Sequence, residues 1–321
     1  MNISKILLLS GLMTVLSVSA SEFPVTVDSC GTPLTFAQSP RRAVIHDLNM
    51  AEMAFALNLQ PHIVGLTGIS GWYKTTPAFQ QARGNIPEIA PRYPSLETLI
   101  TAQPDFFFAG WNYGMKVGGD VTPDSLKKYN IKTLVLSESC IHAGGKRSRA
   151  SMDLLYADIE KLGKIFGKAE EADRLISDWK SRLSSLKQNT GKHRAARVFV
   201  YDSGEDKPFT SGKYGMPTAV IEAAGGRNVM DNLDASWTTV GWESVAVTEP
   251  DFIILVDYQL NGENSADNLQ RFLENHPLMK LTPAVQHHHY IKLRYEELTP
   301  GPANIDAIQR LAAALYPDDF S

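Results

Sequence analysis

The sequence predicts an α/β protein of two Rossmann-like lobes, each with a central parallel sheet, joined by one long backbone helix. Three observations carry this. Short apolar runs alternate with helix-period stretches in both halves of the chain, the pattern that builds parallel sheets covered by helices. A proline-free segment, 149–189, separates the halves and keeps one helical period throughout. An internal repeat then links one half to the other.

In the first half, Ala43–Ile45 reads as a strand and Met50–Leu57 as a helix. A strand at His62–Leu66, a helix at Ser95–Ala102 and a strand at Asp105–Ala109 follow. Pro123–Tyr129 is the next helix and Lys132–Leu136 the next strand. The central segment places Leu155, Ile159, Leu162, Phe166, Ala169, Ala172, Ile176, Trp179, Leu183 and Leu186 at steps of three or four. As one helix it would be a rod about 60 Å long. A coiled coil is the competing reading, but Gly163 and Gly167 interrupt the pattern and α/β segments flank it.

The second half resumes the alternation. Arg197–Tyr201 is a strand, and Met216–Ala224 is a helix stopped by Gly225-Gly226. Trp242–Val247 is a helix, Phe252–Val256 a strand, Leu269–Glu274 a helix and Tyr290–Arg294 a strand. Asn304–Leu315 closes the chain as a helix. The organisation is thus a leader over 1–20, an N-terminal lobe over 21–148, a bridging helix over 149–189 and a C-terminal lobe over 190–321.

The leader is read from Met1–Ala20. Lys5 supplies a positive start, Ile6 to Leu16 a short apolar run, and Val18-Ser19-Ala20 a small-residue cleavage site. The pattern predicts a secretory signal peptide and a soluble protein of the periplasm, not a membrane span. No cysteine sits at the cleavage point to take a lipid. Cys30 and Cys140 then lie in an oxidising compartment, either as a disulfide or as two buried thiols.

The chain has 321 residues, 43% hydrophobic and 21% charged, with 31 Lys+Arg against 35 Asp+Glu. That balance excludes wholesale disorder, and without a basic run it argues against a nucleic-acid surface. GxSxG, HExxH, GxxxxGK[ST] and GxGxxG are all absent. His287-His288-His289 is the one histidine cluster. Neighbours in an extended chain point to opposite faces, so a surface turn is expected there and no metal site.

The repeat aligns PSLETLITAQPDFFFAGW (Pro94–Trp111) with VGWESVAVTEPDFIILVD (Val240–Asp257) without a gap. Glu97 matches Glu243, Pro104 matches Pro250, Asp105 matches Asp251 and Phe106 matches Phe252. Each copy is a helix with a glutamate in its first turn, a Pro-Asp turn and a buried strand. Each glutamate complements its helix dipole, and the matched pair also offers two equivalent anionic posts to a symmetric partner.

Ligands of parallel α/β sheets bind beyond the carboxyl ends of the strands. The loops there hold Trp72, Tyr73, Trp111, Tyr113, Tyr214, Trp237 and Tyr258, with Arg92 in the loop before the Glu97 helix. Amphipathic rings in such places suit a bulky, flat or multi-ring ligand, and Arg92 suits an anionic group on it. Glu138, Asp202 and Glu296 are weaker candidates at the same strand ends.

With these residues in view, the chain resembles the periplasmic binding proteins for iron–siderophore complexes, haem and vitamin B12, the helical-backbone class of ABC-transporter receptors. The resemblance rests on Arg41–Gly68, the Pro94–Gly110 segment, the long helix, EAAGGRNVMDN (Glu222–Asn232), WESVAVTEPDFIILV (Trp242–Val256) and the closing Leu298–Asp318. It implies two lobes around one cleft, and it implies that Glu97 and Glu243 dock onto arginines of the two permease subunits. The zinc and manganese receptors that resemble this class place separated His, Asp or Glu ligands, a set not evident here.

The function expected is therefore binding without catalysis. A monomeric receptor captures a ferric siderophore or similar chelate, has no cofactor of its own, and delivers its cargo to an ABC permease dimer. Cobalamin and haem are the alternatives within the class, with Tyr73, Tyr113 or Tyr214 as axial candidates for haem. An exported α/β hydrolase using His46 as base is the alternative outside it.

Overall fold

The computed structural model describes residues 23–73, 75–144, 147–258 and 265–320. The signal peptide read over 1–20 lies outside them. No helix among the described residues is long and apolar enough to cross a membrane.

The N-terminal lobe begins with an antiparallel hairpin, β1 (Val25–Ser29) and β2 (Thr32–Phe36). Its sheet then uses β3 (Ala43–His46), β4 (Ile63–Thr67), β5 (Glu88–Ala90), β6 (Phe106–Trp111), β7 (Gly114–Met115) and β8 (Lys132–Val135). The order is β5-β4-β3-β6, with β7 and β8 both paired to β6, and every pairing is parallel. Helices α1 (Leu48–Ala56), α2 (Pro77–Arg83), α3 (Leu96–Ala102) and α4 (Pro123–Lys127) fill the connections. The Phe106-Phe107-Phe108 run shows why β6 is central. Phe106 and Phe108 join one core with Ile45 and Leu134, while Phe107 faces the other with Val44 and Val135. Cys30 and Cys140 are bonded, tying the hairpin to the turn after β8.

The expected single rod over 149–189 is instead two helices, α5 (Asp153–Ile165) and α6 (Ala169–Thr190). The break is a glycine stop. Gly167 takes φ +66°, and the N–H groups of Lys168 and Gly167 return to the carbonyls of Gly163 (2.6 Å) and Lys164 (3.4 Å). Gly163 also lets α6 fold back closely, since a β-carbon there would lie 2.6 Å from Ala172 Cβ. At 22 residues, α6 is about 33 Å long.

The C-terminal lobe holds β9 (Arg197–Tyr201), β10 (Phe209–Ser211), β11 (Arg227–Asn228), β12 (Trp237–Thr239), β13 (Phe252–Asp257) and β14 (Tyr290–Arg294). Its parallel sheet has the order β11-β9-β13-β14, and β10 and β12 form a separate antiparallel ribbon. Helices α7 (Met216–Ala223), α8 (Trp242–Ala246), α9 (Ala266–Asn275), α10 (Pro283–Gln286), α11 (Tyr295–Leu298) and α12 (Ala303–Leu315) cover it. His287, His288 and His289 form the turn between α10 and β14.

One apolar core runs through both lobes, joining Ile45 and Phe106 to Ile159 and Trp179, and these to Val198, Ile254 and Ile308. The lobes also meet directly: buried Asn49 of α1 donates to the carbonyl of Pro300 (2.8 Å) just after α11.

Candidate ligand-binding cleft between the lobes

In a parallel sheet each strand hands its chain to a loop at the carboxyl end, where loops are free to converge. Here they converge on one cavity of about 400 Å³. From the N-terminal lobe come His46 and Asp47 after β3, Trp72 and Tyr73 after β4, Tyr93 after β5, Asn112 and Tyr113 after β6, and His142 after β8. From the other lobe come Asp202 after β9, Tyr258 after β13 and Tyr295 after β14, with Phe209, Ser236 and Trp237 of the ribbon region. The tyrosines meet across the gap: Tyr73 stacks on Tyr295 at 4.6 Å and on Tyr258 at 5.9 Å between centroids.

Each acidic group in this region holds a phenol. Tyr295 donates to Asp47 Oδ2 (2.9 Å), and Tyr73 is a second phenolic partner of that carboxyl. Tyr258 donates to Asp202. Tyr113 donates to Glu138 Oε1 (2.6 Å), and Glu138 Oε2 reaches across to accept the backbone N–H of Met216 (2.7 Å). Burial pushes the carboxyls of Asp47 and Glu138 up to about 7, and that of Asp202 upward. Burial, then the neighbouring carboxylates, lifts the phenols of Tyr73, Tyr113 and Tyr258 well above their usual range. A phenol held this way resists ionising to the tyrosinate that would ligate iron.

His46 is 1% exposed, and its Nδ1 pairs with the Thr67 hydroxyl (2.7 Å). Burial drives its pKa down to about 3, so the ring is neutral. Two glycines with positive φ close on it. A β-carbon on Gly68 would lie 2.2 Å from its Cε1, and one on Gly114 would lie 2.7 Å from its Cγ. The ring is a packed wedge whose side-chain partner is Thr67, not the exposed base that the hydrolase reading requires.

Of the eight residues expected at the cleft, Trp72, Tyr73, Tyr113, Trp237 and Tyr258 line it. Arg92 is exposed just outside, with its guanidinium 4.3 Å over the Trp72 ring. Trp111 and Tyr214 do not line it, which corrects the expectation for both. Trp111 shares the sheet face of Phe107 and Ala109, on the outer side of β6. It lines a second cavity of about 580 Å³, walled by the β1–β2 hairpin, α4 and β8. The left-handed turn at Asn112 (φ +64°) is what carries Tyr113 back toward the cleft. Tyr214 follows the ribbon strand β10, not a strand of the parallel sheet, and its hydroxyl goes to Asp234 (3.3 Å). Glu296 is buried and engages Arg294.

Sequence reading passed over Tyr93, Tyr295, Phe209, His142 and the standing of Asp47. One signal for Asp47 was present. RAVIHD (Arg42–Asp47) and RVFVYD (Arg197–Asp202) repeat with the same spacing. Sheet register makes them equivalent, since Ala43 pairs with Phe106 as Val198 pairs with Phe252. Asp47 and Asp202 are therefore duplicates, one per lobe.

Residues 44–296 match the periplasmic binding protein family, and the chain belongs to it. It is similar to an uncharacterized ABC transporter substrate-binding lipoprotein of Bacillus subtilis, 23% identical over 93% of this chain and 87% of that protein. Among solved structures it is similar to a periplasmic binding protein of Veillonella parvula (TM-score 0.78, 25% identity, 91% of this chain and 97% of that one). It is also similar to an ABC-type Fe3+-hydroxamate transport protein of Saccharomonospora viridis (TM-score 0.77, 21% identity, 92% and 99%).

Proposed function

We propose that this protein is the periplasmic receptor of an ABC importer, capturing a ferric siderophore or similar large metal chelate between its lobes and delivering it to the inner-membrane permease. The observation that supports this best is the convergence of strand-end loops from both parallel sheets on a single aromatic cleft. Rings from both lobes can stack on a broad ligand while their polar edges hold its rim. The fused core and the Asn49–Pro300 contact favour a small closing motion over a wide hinge.

Glu97 and Glu243 serve delivery in this reading. Both are exposed, each in the first turn of a duplicated helix, α3 and α8. Two such posts, one per lobe, match a permease dimer that presents one cationic site per subunit.

Native mass spectrometry of protein purified from the periplasm is expected to show a co-purified chelate. A protein that carries no chelate and binds none on titration would overturn the receptor reading. The double variant E97A/E243A is expected to lose uptake at least tenfold while keeping its ligand affinity. Full uptake would reduce the two glutamates to helix-end residues.

A further inference from the structure

We infer that the duplicated carboxyls Asp47 and Asp202 make the cleft an acceptor site, selective for neutral or cationic chelates that present N–H donors over polyanionic ones. This deepens the receptor reading and rests on it. The two aspartates end the equivalent strands β3 and β9, one in each wall, at 3% and 5% exposure. Each already fixes a phenol, Tyr295 on Asp47 and Tyr258 on Asp202, so those phenol protons are committed. What the phenols have left to show a ligand is their oxygen lone pairs. Tyr113 is saturated, donating to Glu138 while the Trp237 indole donates to it.

Both walls therefore set a buried acid and phenol lone pairs beside the neutral donors of Trp72, Asn112, His142 and Ser236, and no lysine or arginine is among the lining residues. A peripheral amide N–H satisfies such a wall. A polyanionic catecholate or carboxylate rim meets two buried acids with no lysine or arginine in the lining, a desolvation cost that the few neutral donors offset only in part. Among the described residues, the cations nearest the rings are Arg92 over Trp72 and Lys116 over Tyr93 (5.5 Å), and neither is in the lining. They lie at the rim of one wall, where they do not offset the pair of acids.

The test is tryptophan-fluorescence titration of the full-length mature protein at pH 7.5. The probes are cyanocobalamin, a neutral cyclic ferric trihydroxamate, the cation ferrioxamine B and the trianion ferric enterobactin. At least one neutral or cationic probe is expected to bind a hundredfold tighter than the trianion. D202N and D47N keep the side-chain shape and a phenol partner, and each is expected to narrow that ratio about tenfold. A merely structural aspartate would weaken all probes alike and leave the ratio fixed. Tightest binding of the trianion, or an unchanged ratio in both variants, overturns the charge inference and leaves the receptor reading standing. Failure of all four probes to bind removes the receptor reading and this inference with it.

Discussion

Asp105 and Asp251 occupy the same place in the two lobes and meet the same need with different partners. Each follows the duplicated proline and returns its carboxylate to the residues that open the neighbouring strand. Asp105 accepts the backbone N–H groups of Arg41 (2.8 Å) and Arg42 (2.9 Å). Asp251 accepts the backbone N–H of Arg197 (2.8 Å) and also its guanidinium (2.8 Å), which holds the carboxyl below its usual range. The arginines differ correspondingly. Arg42 spends its guanidinium on the carbonyls of Ala102 and Gln103 at the end of α3, whereas Arg197 divides its own among Asp251, Glu249 and the Thr248 carbonyl. The N-terminal lobe then adds a cystine, and both cysteines of the chain lie in that lobe. The difference teaches that the duplicated unit is a backbone turn. The side chains that secure it have diverged.

The largest effect separating the lobes should come from the cystine. It closes a loop with a sequence separation of 110 residues. On the chain-entropy account, replacing both cysteines by serine should cost about 5 kcal/mol, read by urea unfolding. A loss below about 1 kcal/mol would mean that packing alone secures the hairpin. The duplicated aspartates come next. D251A should cost about 2 kcal/mol because it strips charge-assisted bonds, and D105A about 1 kcal/mol because water can reach the exposed N–H groups it leaves. Equal costs would erase the contrast drawn above.

The smallest effect is a pH trend set by the acids between the lobes. Asp47 and Glu138 titrate near 7 in the folded protein, against about 4 when unfolded. Each binds its proton more tightly folded, so its contribution is full below pH 4 and fades as pH climbs through 7. His46, held near 3, acts oppositely, but its contribution is complete once pH exceeds the unfolded imidazole value of about 6.5. Between pH 6.5 and 8.5 the acids dominate, and the melting temperature should fall by about 2–4 °C. Burial also pushes the Glu52 carboxyl up to about 8, in the same window. A D47N/E138Q variant should therefore lessen that slope without abolishing it; an undiminished slope would assign it to other groups.

Much of the scaffold was legible because apolar runs and glycine stops act locally. The strands Arg197–Tyr201 and Tyr290–Arg294 fall where their sequence predicts them. The helix break at Gly167 was also written in the chain, but ten apolar positions in one register outweighed it in the reading. The site was half legible. Tyr73 and Tyr258 follow long apolar strands and stand out, whereas Tyr93 follows the three-residue strand β5, too short to declare itself. Trp111 and Tyr113 sit two residues apart, and only the left-handed turn at Asn112 decides which of them reaches the gap. No pattern of hydrophobicity encodes that turn.

His46 has a consequence that reaches past its own burial. The loops after β4 and β6 rest against the same imidazole, through Gly68 at its Cε1 and Gly114 at its Cγ. Those loops carry Tyr73 and Tyr113. A single ring almost closed to solvent thus acts as a spacer that gauges the aperture. An exchange at position 46 would shift both banks together, altering which shapes are admitted by more than the change of one lining ring.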